Sequence, residues 1–257
     1  MRKPYVAGQF YPEQIAELNS MLNSFFEQAK ATAKSIAGVS PHAGYIYSGQ
    51  TAAYTYASLE DVDTYVIIGP DHTGAAMGGN IAYPKGKWET PLGVVKVDDS
   101  ALEDLGNAVA VDEHAHAFEH SIEVQLPFLQ YLHDDFEIVP IVMGDQSLES
   151  ARLLGNALSA LDCVVIASTD FSHYVPRELA EENDKYAIHA VLDMDEYDFY
   201  SRLRERNNSA CGPGPIAAAM VFAKNKGCIE GRLLDYSTSG DVTGDPAVVG
   251  YASIIFV

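Results

Sequence analysis

The chain has 257 residues, long enough to bury a substantial core, and 47% of them are hydrophobic, the share of an ordinary globular protein. Its formal net charge is -20, from 36 acidic and 16 basic residues, which opposes the counterion release that drives nucleic-acid binding and disfavours anionic lipid surfaces. No apolar run approaches the roughly 18 residues of a membrane span, and Met1-Arg2-Lys3-Pro4-Tyr5 lacks the apolar stretch of a secretory signal, so a cytoplasmic protein with no nucleic-acid or membrane partner is expected.

Residues 13–30 place Ile15, Leu18, Leu22, Phe25 and Phe26 on one face, predicting a helix. Residues 35–40 predict a strand that runs into Pro41-His42-Ala43-Gly44-Tyr45, and Ser48-Gly49 opens a second helix reaching Leu59. Tyr65-Val66-Ile67-Ile68 reads as a buried strand ending at Gly69-Pro70-Asp71-His72, followed by a glycine-rich loop over residues 73–79. Residues 80–97 break into short strands, with turns at Pro84-Lys85-Gly86 and Pro91-Leu92-Gly93. A helix is expected over 100–109 and a strong one over 119–132, with Ile122, Leu126, Leu129 and Leu132 inward and Pro127 placed to kink it.

A strand over 136–142 and a helix over 148–161 follow. Val164-Val165-Ile166-Ala167 is a third buried strand, entering Ser168-Thr169-Asp170-Phe171-Ser172-His173. Helices are expected over 180–192, 196–206 and 213–224, the last with proline in its first turn, and strands over 231–237 and 248–256. The pattern predicts one α/β domain over 1–257, a sheet flanked by helices, without fixing the strand order.

Three segments therefore carry a histidine where a buried strand ends: His42, His72 and His173. In open α/β sheets, ligands gather at the carboxyl ends of strands. His42 and His72, in glycine- and proline-rich turns, are candidate metal ligands, against the plainer reading that each bonds its own turn. His173 is either a third ligand or an acid–base group oriented by Asp170. His114, His116 and His120 cluster before the 119–132 helix. The i,i+4 pair His116/His120 could chelate if that helix extended so far. His114 and His116 read better as solvated residues and His120 as a pocket wall, while His133 and His189 read as surface residues. Asp241 or Asp245, in the acidic glycine-rich stretch 236–245, could complete a two-histidine, one-carboxylate set of the non-haem iron type. The three cysteines suggest no disulfide framework: Cys163 reads as core, Cys228 as a turn residue, and Cys211 precedes Gly212-Pro213-Gly214-Pro215 at a helix start.

The ordered set Arg2-Lys3-Pro4, Ala7-Gly8-Gln9-Phe10-Tyr11-Pro12, Pro41-His42-Ala43-Gly44-Tyr45, Gly69-Pro70-Asp71-His72, Glu119-His120-Ser121-Ile122-Glu123, Ser168-Thr169-Asp170-Phe171-Ser172-His173 and Cys211-Gly212 with Pro215-Ile216 resembles the Memo (MEMO1) family, also described as AmmeMemoRadiSam system protein B, nearly end to end. The resemblance implies a fold related to class III extradiol (LigB-type) dioxygenases, which hold non-haem Fe(II) with two histidines and a glutamate. By motif, His42 and His72 match the metal ligands, His173 the acid–base position and His120 a pocket histidine. Animal relatives supply a third ligand from a cysteine assigned to the tail segment. The stretch matched to it here, Ser239-Gly240-Asp241-Val242-Thr243, has none, which makes Asp241 the substitute candidate.

The resemblance thus implies an Fe(II) site, with copper or zinc as alternatives, in a metal-dependent oxidoreductase acting on an unknown small-molecule substrate. Two other readings stay open: a non-catalytic partner protein on the same fold, binding a peptide or AMMECR1-type and radical-SAM proteins, and a metal-dependent hydrolase.

Overall fold

The apolar runs around residues 37–40, 64–70, 137–143 and 164–168 contain too few polar positions for a strand with one wet face, and they become the parallel centre of the sheet. The computed structural model describes residues 1–31, 33–83 and 85–257. In chain order its elements are α1 Ile15–Gln28, β1 Ala37–Ser40, α2 Tyr45–Ser58, β2 Thr64–Pro70, β3 Asn80–Ala82, β4 Lys87–Thr90, β5 Gly93–Val97, α3 Asp99–Leu105, β6 Ala110–Val111, α4 Leu126–Leu132, β7 Glu137–Met143, α5 Leu148–Leu158, β8 Val164–Ser168, β9 His173–Pro176, α6 Arg177–Leu192, α7 Glu196–Arg206, α8 Pro213–Asn225, β10 Gly231–Thr238, α9 Gly240–Thr243 and β11 Ala247–Phe256.

The strands order as β10-β11-β1-β8-β2-β7-β3-β6. β1, β8, β2 and β7 run parallel, and β1, β2 and β8 are buried at every position. Such strands require helices over the sheet. α2 packs on β1, β10 and β11, and α8 on β1, β2 and β8, with α1 against α2 and α5 against α8. β11 closes one side antiparallel to β1 and also pairs β9. The expected α/β sheet flanked by helices is what the chain adopts.

Register decides which turns can share a site. Ser40 pairs with Ser168, and Ala167 pairs with both Val39 and Ile68, so β1, β8 and β2 end almost level. Residues just beyond these ends must meet.

Several boundaries differ from expectation for local reasons. The second helix starts at Tyr45, since Gly44 already turns the chain. The helix expected over 100–109 stops at Leu105, where Gly106 takes φ 51°. The largest difference is at 119–132. Residues 119–120 have no regular structure, 121–122 form a turn, Glu123–Gln125 a 3₁₀ turn, and only Leu126–Leu132 is α-helix. The Glu119 carboxylate accepts hydrogen bonds from the amides of His120 and Ser121, both 2.9 Å, which fixes those donors outside a helix. Pro127 therefore lies in the first turn of α4, where its missing N–H costs nothing, and kinks nothing. The turn expected at 84–86 lies partly outside the described residues, at Pro84.

Gly155 shows how closely the covering helices approach. A Cβ built there would lie 2.5 Å from the Ala218 carbonyl oxygen and 2.7 Å from Val221 Cβ, across the α5–α8 contact. Gly155→Ala would gain up to about 1 kcal/mol in helix propensity but lose about 1–3 kcal/mol to overpacking. Net destabilisation is expected, and a urea midpoint equal to or above that of the unsubstituted protein would contradict this packing.

Candidate metal centre

Two residues beyond the level ends of β1 and β8, the His42 backbone N–H donates to Asp170 Oδ1 at 2.8 Å. Asp170, expected to orient His173, thus holds the His42 turn instead. Behind it, a chain of polar contacts fixes the His42 ring. Gln125 Oε1 accepts from Tyr56 Oη at 2.5 Å and Ser40 Oγ at 3.1 Å, so its amide nitrogen must be the donor to the Pro41 carbonyl and to Ser168 Oγ at 2.7 Å. Ser168 spends its own proton on the Ser121 carbonyl at 2.6 Å. It can therefore only accept from His42 Nδ1, 2.9 Å away. The proton sits on Nδ1 and the lone pair on Nε2.

His72 is fixed the same way by a different group. Its amide donates to Glu119 Oε2 at 2.7 Å and its Nδ1 to Glu119 Oε1 at 2.9 Å, which again leaves Nε2 free. A carboxylate behind the far nitrogen is the usual orienting partner of a metal-bound imidazole. The His120 ring stacks on His72 with centroids 4.7 Å apart and lies 5.4 Å from His42, with Phe10 against its other side. His42, His72 and His120 each offer a ring nitrogen, and these atoms lie within 4.8 Å of one another, a grouping that could hold a metal ion.

Protonation states divide the three. Burial, followed by the neighbouring imidazoles His120, His72 and His173, pushes His42 well below the ordinary histidine value. Burial takes His120 down to about 4, against the pull of Glu119. His72 is raised, because the hydrogen bond and charge of Glu119 outweigh its burial. Glu119 is itself nearly inaccessible, and burial would raise it, yet the bond and charge of His72 and the amides of Ser121 and His72 hold it at about 2. Two of the three imidazoles are neutral at pH 7, as ligands must be.

The three histidines floor a cleft, and Cys211 lies beside them against His42. The Cys211 amide donates to the Asp170 carbonyl at 3.1 Å, and the next amide, of Gly212, donates to Thr169 Oγ1 at 2.9 Å. These contacts seat the thiol 3.3 Å from His42 Nε2. Three imidazoles suit a transition metal such as iron, copper or zinc, and suit magnesium or calcium poorly.

Above this floor opens a cleft of about 810 Å³, lined among others by Phe10, Tyr47, Asp170, His173, Tyr174 and Tyr251. His173 Nδ1 donates to the Ser209 carbonyl at 3.0 Å, which leaves Nε2 as its basic nitrogen. Asp241 falls outside the histidine group. It sits on α9 with Oδ1 against Arg177 at 2.5 Å and Oδ2 accepting from the Thr238 amide at 2.7 Å. Asp245 lines the cleft mouth.

His116, expected to be solvated, is buried against Trp88 and Tyr83, and it is not on one helix with His120. His114 and His189 are exposed, while His133 is half-buried beside Tyr65 and Asp61. Cys163 is buried as expected, and the three cysteines are free thiols. Sequence reasoning missed Glu119 and Gln125. Their signal was an acid and an amide just before an apolar run, in the stretch 119–125.

The turn that carries Glu119 and His120 is itself clamped. Arg2 is 5% exposed and donates to the Glu119 carbonyl at 2.7 Å, the His116 carbonyl at 2.8 Å and Glu123 Oε2 at 2.7 Å, with its guanidinium 4.2 Å from the Trp88 ring centre. Glu123 also accepts from the amides of Tyr5 and Val6 and from Tyr11 Oη.

Arg2→Met leaves Glu123 buried without its cation, and a loss of about 3–5 kcal/mol is expected in denaturant unfolding; a loss under about 1 kcal/mol would show that the clamp is dispensable. In metal-free protein, the depressed Glu119 contributes stability that is present above its ordinary value of 4.5 and is lost as pH falls toward about 2. His72 contributes in the opposite sense, since its stabilisation is present below 6.5 and is lost as pH rises through its raised value. Glu119→Gln should therefore flatten the acid limb of stability and lower the His72 titration midpoint followed by NMR. An unchanged His72 midpoint would refute the pairing.

The Memo-like protein family model matches residues 2–255. The chain is 48% identical over 265 residues to a MEMO1 family protein of Methanosarcina barkeri, covering 99% of each chain. It is 46% identical to one of Archaeoglobus fulgidus, with 100% of this chain and 99% of the relative covered. To one of Pyrococcus furiosus it is 44% identical, with 99% and 98% covered.

Proposed function

The chain belongs to the Memo-like protein family, and on that premise we propose that it is a metal-dependent oxidoreductase whose ion, iron before copper or zinc, is held by His42, His72 and His120 with the Cys211 thiol alongside. One observation supports this most: two separate polar networks, from Ser168 and from Glu119, take up the Nδ1 of His42 and His72 and leave Nε2 as the donor atom of each, with the Cys211 thiol 3.3 Å from that of His42. Any buried imidazole needs a partner for its N–H, but two that turn their other nitrogens toward a common third imidazole, one of them backed by a carboxylate, fit metal ligation better than packing. A bound redox-active ion would exchange electrons with an organic ligand reaching it through the cleft.

The chain's own residues do the rest. His173 stands in the cleft with Nε2 free to take a proton from a hydroxyl or amine of the ligand, while the Ser209 carbonyl retains the proton on Nδ1. Phe10 and Tyr251 wall the ligand from water. Asp170 keeps the His42 turn in place. Asp241 has no part in this arrangement, since both of its oxygens are engaged on α9.

The test is metal content of anaerobically purified full-length protein by elemental analysis. About one iron per chain is expected, lost in His42→Ala and His72→Ala and kept in Asp241→Ala. Loss in Asp241→Ala would restore the carboxylate as a ligand. Zinc in place of iron would turn the reading toward hydrolysis. No uptake after anaerobic loading would sink the metal-centred reading altogether.

A further inference from the structure

The outer half of the cleft has a chemistry of its own. Its exposed lining residues include Tyr47, Tyr174 and Asp245, with Tyr251 buried deeper in the same cleft. Among the described residues no lysine or arginine lines it. Among the described residues no basic side chain pairs with Asp245. The nearby cation on α6, Arg177, is already committed to Glu181 and Asp241.

A second groove, of about 470 Å³, continues from the cleft across Phe10, Gly44 and Tyr47. It adds Glu13 and Glu17 and, among the described residues, again no lysine or arginine. Tyr174 directly follows His173, is 79% exposed and has φ 56°, a left-handed conformation that costs a tyrosine about 1–3 kcal/mol. That strain directs a bare ring to the rim of the cleft.

Aromatic faces and a carboxylate without a competing cation attract an ammonium group and repel a carboxylate or phosphate. The net charge of -20 adds a long-range field of the same sign. We propose that the outer cleft is a subsite for the ammonium end of a small organic amine, held by Tyr47, Tyr174 and Asp245, while the other end of the ligand reaches the histidines. The subsite deepens the metal-centred reading and rests on it only for the inner end of the ligand.

The experiment is calorimetric titration of the full chain, metal-stripped and again iron-loaded, with tyramine, 4-ethylphenol and 4-hydroxyphenylacetate. These probes share a phenol and differ in the charge at the far end. Tyramine should bind about tenfold more tightly than 4-ethylphenol, with the acid weakest. Asp245→Asn and Tyr174→Leu, both at exposed positions that keep the fold, should each remove most of that preference. Equal binding of tyramine and 4-ethylphenol, tightest binding of the acid, binding of none, or a preference untouched by both substitutions would each overturn the proposal. The metal-stripped arm reads the subsite alone. A charge preference there in a protein that takes up no metal would leave the subsite standing and the metal-centred reading refuted, and the reverse pattern would do the opposite.

Discussion

The contact between Arg2 and Glu123 carries the rest of the site. A guanidinium this deeply buried must satisfy its donors within the protein, and Arg2 does so on one carboxylate and two carbonyls of residues 116–123. Glu123 in turn gathers two backbone amides and a phenol from residues 5–11. The N-terminal strap and the Glu119–Gln125 turn therefore form one rigid body. That body supplies Glu119 behind His72, His120 beside it, and Gln125 behind Ser168. The site is held in place from about 120 residues away in sequence, by electrostatics in a dry environment.

This arrangement explains which parts of the molecule are legible in the sequence. The parallel strands are, because runs such as Tyr65-Val66-Ile67-Ile68 have one physical solution, a covered sheet, and their ends announce His42 and His72. The turn at 119–125 is not. Its apolar spacing mimics a helix, and only the Glu119 side chain, bonding its own neighbours' amides, prevents one. Propensity cannot see a competition decided by a single carboxylate. Asp241 failed to join the histidines for a related reason. It lies on a one-turn helix whose capping contacts and Arg177 use both oxygens, and sequence distance gave no hint of that. Cys211 stood out as a helix-start residue, but its approach to His42 depends on Gly212 lying flat against Thr169, where a methyl would not fit.

The two principal histidines are oriented by unlike means. His72 leans on a carboxylate, so its nitrogen is electron-rich and its proton strongly held. His42 leans on a neutral serine–glutamine–tyrosine relay in a fully buried setting, so it stays uncharged. An ion between them would meet one anionically supported ligand and one neutral one. Burial keeps the Cys211 thiol protonated and pushes the Asp170 carboxyl up to about 7, so the one carboxylate of the inner site that stays firmly charged is Glu119, paired with His72.

The pairing of β1 with β11 has a consequence for how the chain is made. β1 is an inner strand, yet one of its two edges is covered only when residues 247–256 arrive. Until then a growing chain carries an open strand edge directly before the His42 turn, the kind of surface that recruits foreign strands.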